Sequence, residues 1–559
     1  MNKGKIPNFF YFIKKYLYTE KDVFLRELIN YSCYSIKIYK KKINKKKKLE
    51  IKIILNKKKK YIIIKDNGIG MTYKDIKNNL NNLNNLNNSI LGFFNIGFYS
   101  SFLVSKKVEI LSRFYKNNSG IHCIFNDNII YYFKKKKNIK IGTTIILHIK
   151  NKKFLDSNLI KNLLKKYFKF LLFPIKFNNK IINKKHPIWI NNKIKKKKAI
   201  EFYHYLYKDY NDPILWIKFK KKYNLKGILY LPVYDNIIDI KENNIHLYKK
   251  RIFITDNLKK IIPNFLVILK GIIEINNIKL NITRSIINNN KKNKKISNYI
   301  IKKICNKIIS YIKKKNLNNW KYIEPLVIYG ILSNEYFLKN YKNLILFKTI
   351  KKKYLTIKKI INLIKKNKKQ ISKDNKIVIF YYKDYNKQYS YIKETLYKGY
   401  KYIVSITNPL FYYVIQKLEN INNNLLFISV DSNLNNIFIK KKVKIKNKKK
   451  IINLIKKNIT FKKKININID FLSKKSLPIN ITKSEFINRY KEINIFNPNI
   501  SFIPEKYYLT ININNKLIKF IFYKKKIKII KVIFNLFFLF NNLFKIKYLK
   551  KIIKYLLNN

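Results

Sequence analysis

Four short runs in the first 150 residues carry side chains and glycines in patterns that do chemistry. FLRELI (24–29) sets Glu27 on a predicted helix among Phe24, Leu25, Leu28 and Ile29. A carboxylate beside an apolar face is either an ordinary helix residue with its head in solvent or a general base that polarises a water for hydrolysis. DNGIGM (66–71) follows a β-branched run. Gly68 and Gly70 permit a tight turn and let a flat ring approach the backbone, while Asp66 can accept from an exocyclic amine. The same DNG also marks plain turns. GFFNIG (92–97) is a glycine-bounded loop leading into FYSSFLV (98–104), an arrangement in which N–H groups at a helix start hold phosphate. No Gly-Lys-Ser/Thr follows it and no βαβ unit surrounds it, so it is neither a Walker loop nor a dinucleotide turn. GTT (142–144) opens a strand, with Thr143 able to hydrogen-bond a ligand.

Composition sharpens these signals. The chain has 559 residues, with 124 Lys+Arg against 28 Asp+Glu and a net charge of +96. Lys, Asn, Ile, Tyr and Phe are abundant, Ala199 is the sole alanine, and Arg is confined to Arg26, Arg113, Arg251, Arg284 and Arg489. That skew reads as drift in an A/T-rich genome, with Lys filling solvated faces; a selected polyanion site is the competing reading. Where composition pushes against a residue type, its presence carries information. Six of the eleven glycines fall from Gly68 to Gly142, and Met71 is the only methionine besides Met1. An apolar share of 47% excludes wholesale disorder. Cys33, Cys123 and Cys305 make no disulfide framework and no metal-ligand spacing, which points to a reducing compartment. The N-terminus lacks a secretory apolar core and no run of about 18 apolar residues occurs, so a cytoplasmic protein with no membrane span is expected. The five histidines form no cluster along the chain.

Periodicity places these runs on elements. Phe9, Phe12, Ile13, Tyr16 and Leu17 form one helical stripe, and Val23, Phe24, Leu28 and Tyr31 a second, with Thr19 and Asp22 as a capping pair between them. Residues 50–56 and 61–65 predict a hairpin, Thr72 starts a short helix, and strands are expected near 107–113, 121–126, 129–133 and 143–149. A helix near 156–170 closes an α+β layer with helices on one sheet face. A linker is expected around 178–200. Beyond it the reading gives a helix at 199–209, strands near 227–233, 251–255, 376–382 and 401–406, and an apolar helical stretch at 527–557. The expected division is 1–182, 183–435 and 436–559.

Together LYTEKDVFLRELI, DNGIGMT, GFFNIGFYSSFLV and GTTIILHIK resemble the four nucleotide-binding motifs of the Bergerat-fold ATPases, and within them the heat-shock protein 90 chaperones. EFYHYLYKDYNDPILW (201–216), RIFITDN (251–257), IKLNITRSII (278–287) and residues 376–405 resemble that family's middle domain, and IFNPNISFI (495–503) its C-terminal domain. The resemblance implies an α+β multidomain chain: an N-terminal Bergerat α/β sandwich ATPase, an α/β middle domain and a small C-terminal α+β dimerisation domain. It implies an ATP-dependent, homodimeric chaperone of partly folded proteins, with no specific nucleic acid and no membrane. Glu27 then takes the place of the catalytic base and Arg284 that of the arginine reaching the γ-phosphate. Asp66 would accept the adenine amine, Gly70 and Met71 would line the base, and Thr143 would sit near adenine. Asn79 would meet the sugar-phosphate region, and Gly92, Gly97 and Phe98 belong to the phosphate loop. The lack of an acidic linker or tail points to the bacterial cytosolic branch. The chain also departs from the family. Tyr31 stands where the family's Mg²⁺-binding asparagine is, which leaves the metal ligand unassigned. Asn85 replaces the lid lysine, the lid is shortened to NNLNNLNN, and Asn95 replaces a loop glycine. Two alternatives therefore accompany the ATP-driven chaperone: an ATP-independent or nucleotide-sensing holdase, and, remotely, a basic nucleic-acid-binding ATPase.

Overall fold

Alternation in VEILSR, GIHCIFN and TTIILHI demands one buried and one wet sheet face. The structure, a computed structural model, describes the chain apart from residues 1, 6–20, 44–47, 82–97, 127–129, 184–185, 221, 235–243, 279–290, 315–316, 435–436, 439–447, 459–464, 473, 475, 494–505, 524–526 and 541–559. It divides into two compact units, 1–303 and 304–559.

The first unit opens with a nine-stranded sheet. Its strands are β1 (Asn2–Lys5), β2 (Ile51–Asn56), β3 (Tyr61–Asp66), β4 (Ser105–Arg113), β5 (Gly120–Asn126), β6 (Ile130–Lys136), β7 (Gly142–Ile149), β8 (Ile175–Phe177) and β9 (Lys180–Ile181). They lie in the order β1-β6-β5-β4-β7-β3-β2-β8-β9, and β2–β8 is the one parallel pair. Ile64, Ile110, Cys123, Phe125, Ile145 and Leu147 fill the buried face. Three helical pieces cover it: α1 (Val23–Ile43), a 3-10 turn at Phe98–Leu103 and, beyond the short α2 (Tyr73–Asn81), α3 (Ser157–Phe168). Phe24 of α1 meets Phe154 edge-on at 5.4 Å. Asp156 caps α3 by accepting from the Asn158 and Leu159 amides, a contribution of about 1 kcal/mol.

Three details differ from the sequence reading. FYSSFL (Phe98–Leu103) is a six-residue 3-10 turn, because the Ser101 and Ser105 hydroxyls donate to backbone carbonyls of the turn and offer the chain an alternative to α-helical pairing. The carboxylate of Asp22 accepts from the Tyr167 hydroxyl at 2.8 Å; Thr19 and the stripe at 9–17 lie outside the described residues. The stretch around 178–200 is not a solvated linker. Asn183 ties its amide to the carbonyls of Leu171 and Phe173, and Trp189 is 1% exposed. A second sheet then follows, with β10 (Leu215–Phe219), β11 (Leu225–Leu231), β12 (Ile245–Lys249), β13 (Ile252–Thr255) and β14 (Lys270–Ile275), ordered β10-β11-β14-β12-β13. One hydrophobic cluster runs from Phe24 to Ile272 and joins both sheets.

The second unit holds a five-stranded sheet around Ile377–Tyr382, buried along its whole length and parallel to both neighbours. A continuous apolar run, IVIFYY, is what a doubly covered parallel strand requires. A three-stranded sheet (Ile465–Asp470, Ile479–Lys483, Tyr507–Asn512) packs on Phe534 and Phe538 of the helix Ile527–Phe540. Among the described residues no helix is long and apolar enough to cross a membrane. All three cysteines are free and buried.

Candidate functional site

Three adjacent strands bring polar groups into one buried row. Register pairs Ser112 of β4 with Thr143 of β7, and Thr143 with Asp66 of β3. Ser112, Thr143 and Asp66 are 0%, 1% and 2% exposed. Their neighbours on the same face are Ile, Leu and Val, so every polar atom here must find a partner. The Ser112 hydroxyl lies 3.0 Å from that of Thr143 and accepts from the Met71 amide at 2.9 Å. Backbone geometry tightens the row. Gly70 has φ +73° and a Cβ there would run into the Arg113 carbonyl; Gly142 has φ +118° and would run into that of Asp66. Both positions exclude ordinary side chains.

Helix α1 lies over the row and presents Glu27, Tyr31 and Ser35 at four-residue intervals, hence on one face. Ser35 donates to Asp66 Oδ1 at 3.1 Å, the Gly68 amide donates to the same oxygen at 2.9 Å, and the Ile69 amide donates to Ser35 Oγ at 3.1 Å. The DNGIG loop is thus sewn to the helix. Burial pushes the Asp66 carboxyl up to about 7, against the pull of the Gly68 and Thr143 amides and the Ser35 and Ser32 hydroxyls. A buried acid poised near neutrality is characteristic of functional sites. Tyr31 is 5% exposed. Burial first, then the Asp66 charge, raise its phenol well above the usual value, and its hydroxyl shares a hydrogen bond with Thr143.

One turn earlier, Glu27 is 6% exposed and pairs with Arg26, Nε to Oε1 3.3 Å. The Arg26 guanidinium lies 6.0 Å from the centre of the Tyr167 ring. This carboxylate is therefore buried with its charge compensated.

The structure brings together Asp66, Gly70, Met71 and Thr143; Glu27 lies two turns before Ser35 on the helix that bonds Asp66, and Phe98 lies edge-on to Phe125 at 5.1 Å. Asn79 lies on α2. Gly92, Gly97, Asn85, Asn95 and Arg284 lie outside the described residues. Sequence reasoning missed Ser32, Ser35 and Ser112. Ser112 had a signal: it occupies an inward slot of β4, where Val108 and Ile110 precede it.

Comparison with known proteins defines the class first. Residues 44–158 match the "Histidine kinase-, DNA gyrase B-, and HSP90-like ATPase" family, so the site belongs to an ATPase of that kind. Residues 176–519, more than half of the chain, match the family described as "Hsp90 protein", and the chain belongs to the Hsp90 family. The Chaperone protein HtpG of Bacteroides thetaiotaomicron is 30% identical over 93% of this chain and 84% of its own length. That of Porphyromonas gingivalis strain W83 is 28% identical over 91% and 82%. That of Buchnera aphidicola subsp. Cinara cedri is 32% identical over 64% and 65%. The protein is a bacterial-type, ATP-dependent molecular chaperone of the stress response, and its enzymatic activity is ATP hydrolysis. These relatives favour that reading over the ATP-independent holdase.

Proposed function

We propose that ATP is held and cleaved over the Ser112–Thr143–Asp66 row. The observation that carries this is the row itself: a buried carboxyl and a buried hydroxyl side by side, beneath a helix that presents Glu27. Asp66 accepts the adenine amine, assisted by Thr143. Gly70 and Met71 line the base, and Asn79 meets the sugar-phosphate region. Gly92, Gly97 and Phe98 serve the phosphates. Glu27 polarises the attacking water, and Arg284 grips the γ-phosphate oxygens bidentately, as a guanidinium can. The phenol of Tyr31 stays neutral and does not fit a magnesium ligand, since that ion prefers carboxylates, water and phosphate oxygens. We assign the ion to the ATP phosphates and no protein ligand to it.

The same reading makes the protein a cytoplasmic homodimer that works on partly folded clients. Residues 1–182 serve as the nucleotide domain, 183–435 as the middle domain and 436–559 as the dimerisation domain. The surplus of lysine is spread evenly, so no specific nucleic acid is assigned. The test is steady-state ATP hydrolysis at physiological salt. Glu27→Ala should lower kcat by about 10²–10⁴, the range for a lost general base, and Arg284→Ala should do so without abolishing ADP binding. A Glu27→Ala rate equal to wild type rejects the assignment.

A further inference from the structure

We infer that Tyr31 occupies the base end of the nucleotide site in the resting protein and sets nucleotide affinity, because the base must displace it to reach Asp66 and Thr143. This rests on the assignment of those two residues made above.

Three observations carry it. The Tyr31 hydroxyl is hydrogen-bonded with Thr143 and within electrostatic reach of Asp66, the two groups assigned to the adenine edge. Asp66, Thr143, Met71 and Tyr31 are all 5% exposed or less. The row is closed in this state, and the phenol that bonds Thr143 is one of the groups that close it. The phenol also offers what a purine edge offers, a flat apolar ring with a polar group at its rim. Exchange of one for the other keeps Thr143 paired. Neither state then leaves a buried polar group orphaned, the condition that makes a swap reversible. The helical spacing strengthens the point: Tyr31 is one turn from Glu27 and one turn from Ser35, so its ring starts from the α1 face that covers the row. A site that is competent only when the ring has left binds nucleotide with its intrinsic affinity scaled down by the open fraction. Tyr31 is therefore an affinity determinant, distinct from the hydrolytic group Glu27.

The experiment is calorimetric titration of ADP into the full chain, with steady-state ATPase in parallel, for wild type, Tyr31→Phe, Tyr31→Ala and Tyr31→Ala/Asp66→Asn. Tyr31→Phe keeps the ring and removes the hydroxyl that bonds Thr143. It should tighten ADP a few-fold, the factor expected for one neutral hydrogen bond. Tyr31→Ala should lower both the ADP Kd and the ATP KM by about tenfold or more, as the closed state is lost. Wild-type or weaker ADP affinity in both single variants overturns the inference. A gain in Tyr31→Ala that survives Asp66→Asn instead moves the base away from Asp66 and overturns the underlying assignment, so the two failures are distinguishable.

Discussion

Asp66 shows how far a single residue's surroundings can move its chemistry. Burial raises its carboxyl to about 7 although four donors surround it. Only the ionised carboxylate makes a charge-assisted bond to an amine. ADP affinity should therefore rise as pH goes from 6 to 8, with a midpoint near the Asp66 pKa, and Asp66→Asn should flatten that profile and weaken binding. A profile that stays steep in the Asn variant assigns the titration to another group. Stability follows the opposite direction. A carboxyl raised in the folded state favours folding below the usual carboxylate range and loses that contribution as pH climbs through about 7. The backbone need at Gly70 was legible in the sequence because glycine is scarce in the chain as a whole, so each retained Gly reported one. Tyr31 was legible as a departure but not as a partner of Thr143. Its contact joins a helix to a strand far along the chain, and no local pattern encodes that distance.

At the scale of elements, register does what spacing alone cannot. The histidines look scattered along the chain, yet the pairing of β5, β4 and β7 brings His122 and His148 to the two oxygens of Glu109, each at 2.8 Å. Lys107 adds a third donor, also at 2.8 Å. This lies on the wet face of the sheet, opposite the buried Ser112–Thr143–Asp66 row, and no group able to hold a metal is present among the described residues. Partial burial pushes the Glu109 carboxyl up, but the bonds from Lys107, His122 and His148 outweigh it and hold it at about 2. A depressed carboxyl stabilises the fold above the ordinary carboxylate pKa and loses that contribution as pH falls towards 2. Glu109→Gln should thus lower stability at pH 7, read from the urea midpoint, by about 1 kcal/mol or less, since Lys107 and His148 are partly exposed. The gap should close between roughly pH 4.5 and 2, since the usual Glu pKa is near 4.3. A gap that is independent of pH contradicts this. The strands themselves were legible because alternation is strict. The 3-10 turn at 98–103 was not, since the serine bonds that shorten it are tertiary choices made within a buried segment.

Across the whole molecule, 28 carboxylates face 124 cations. Self-repulsion on that scale works against a compact state, which puts a premium on where the acids go. In the second unit two of them converge on one of the five arginines. Arg489 forks onto Glu419 (Nη1–Oε2 2.6 Å, Nη2–Oε1 2.9 Å), reaches Glu485 through Nε at 2.7 Å and donates to the Phe427 carbonyl at 2.6 Å. Glu485 also accepts from the Tyr381 hydroxyl and the Ser429 amide. The cluster ties the helices Phe411–Ile421 and Glu485–Ile493 to the strands Ile377–Tyr382 and Leu425–Ser429. The retention of Arg at this position in a lysine-rich chain has a physical reason: an ammonium cannot make a planar fork. Side-chain exposure of Arg489 and Glu419 is 16% each. Arg489→Met should destabilise the second unit by about 3–5 kcal/mol, the cost of leaving buried charges unpaired. Arg489→Lys keeps the charge and loses the fork, so it should cost about 1–3 kcal/mol, comparable to one or two charged hydrogen bonds. Urea unfolding followed by far-ultraviolet circular dichroism reads both. A Lys variant within about 0.5 kcal/mol of wild type, the scatter of ordinary surface changes, would show that charge alone holds these elements together and that the fork adds nothing.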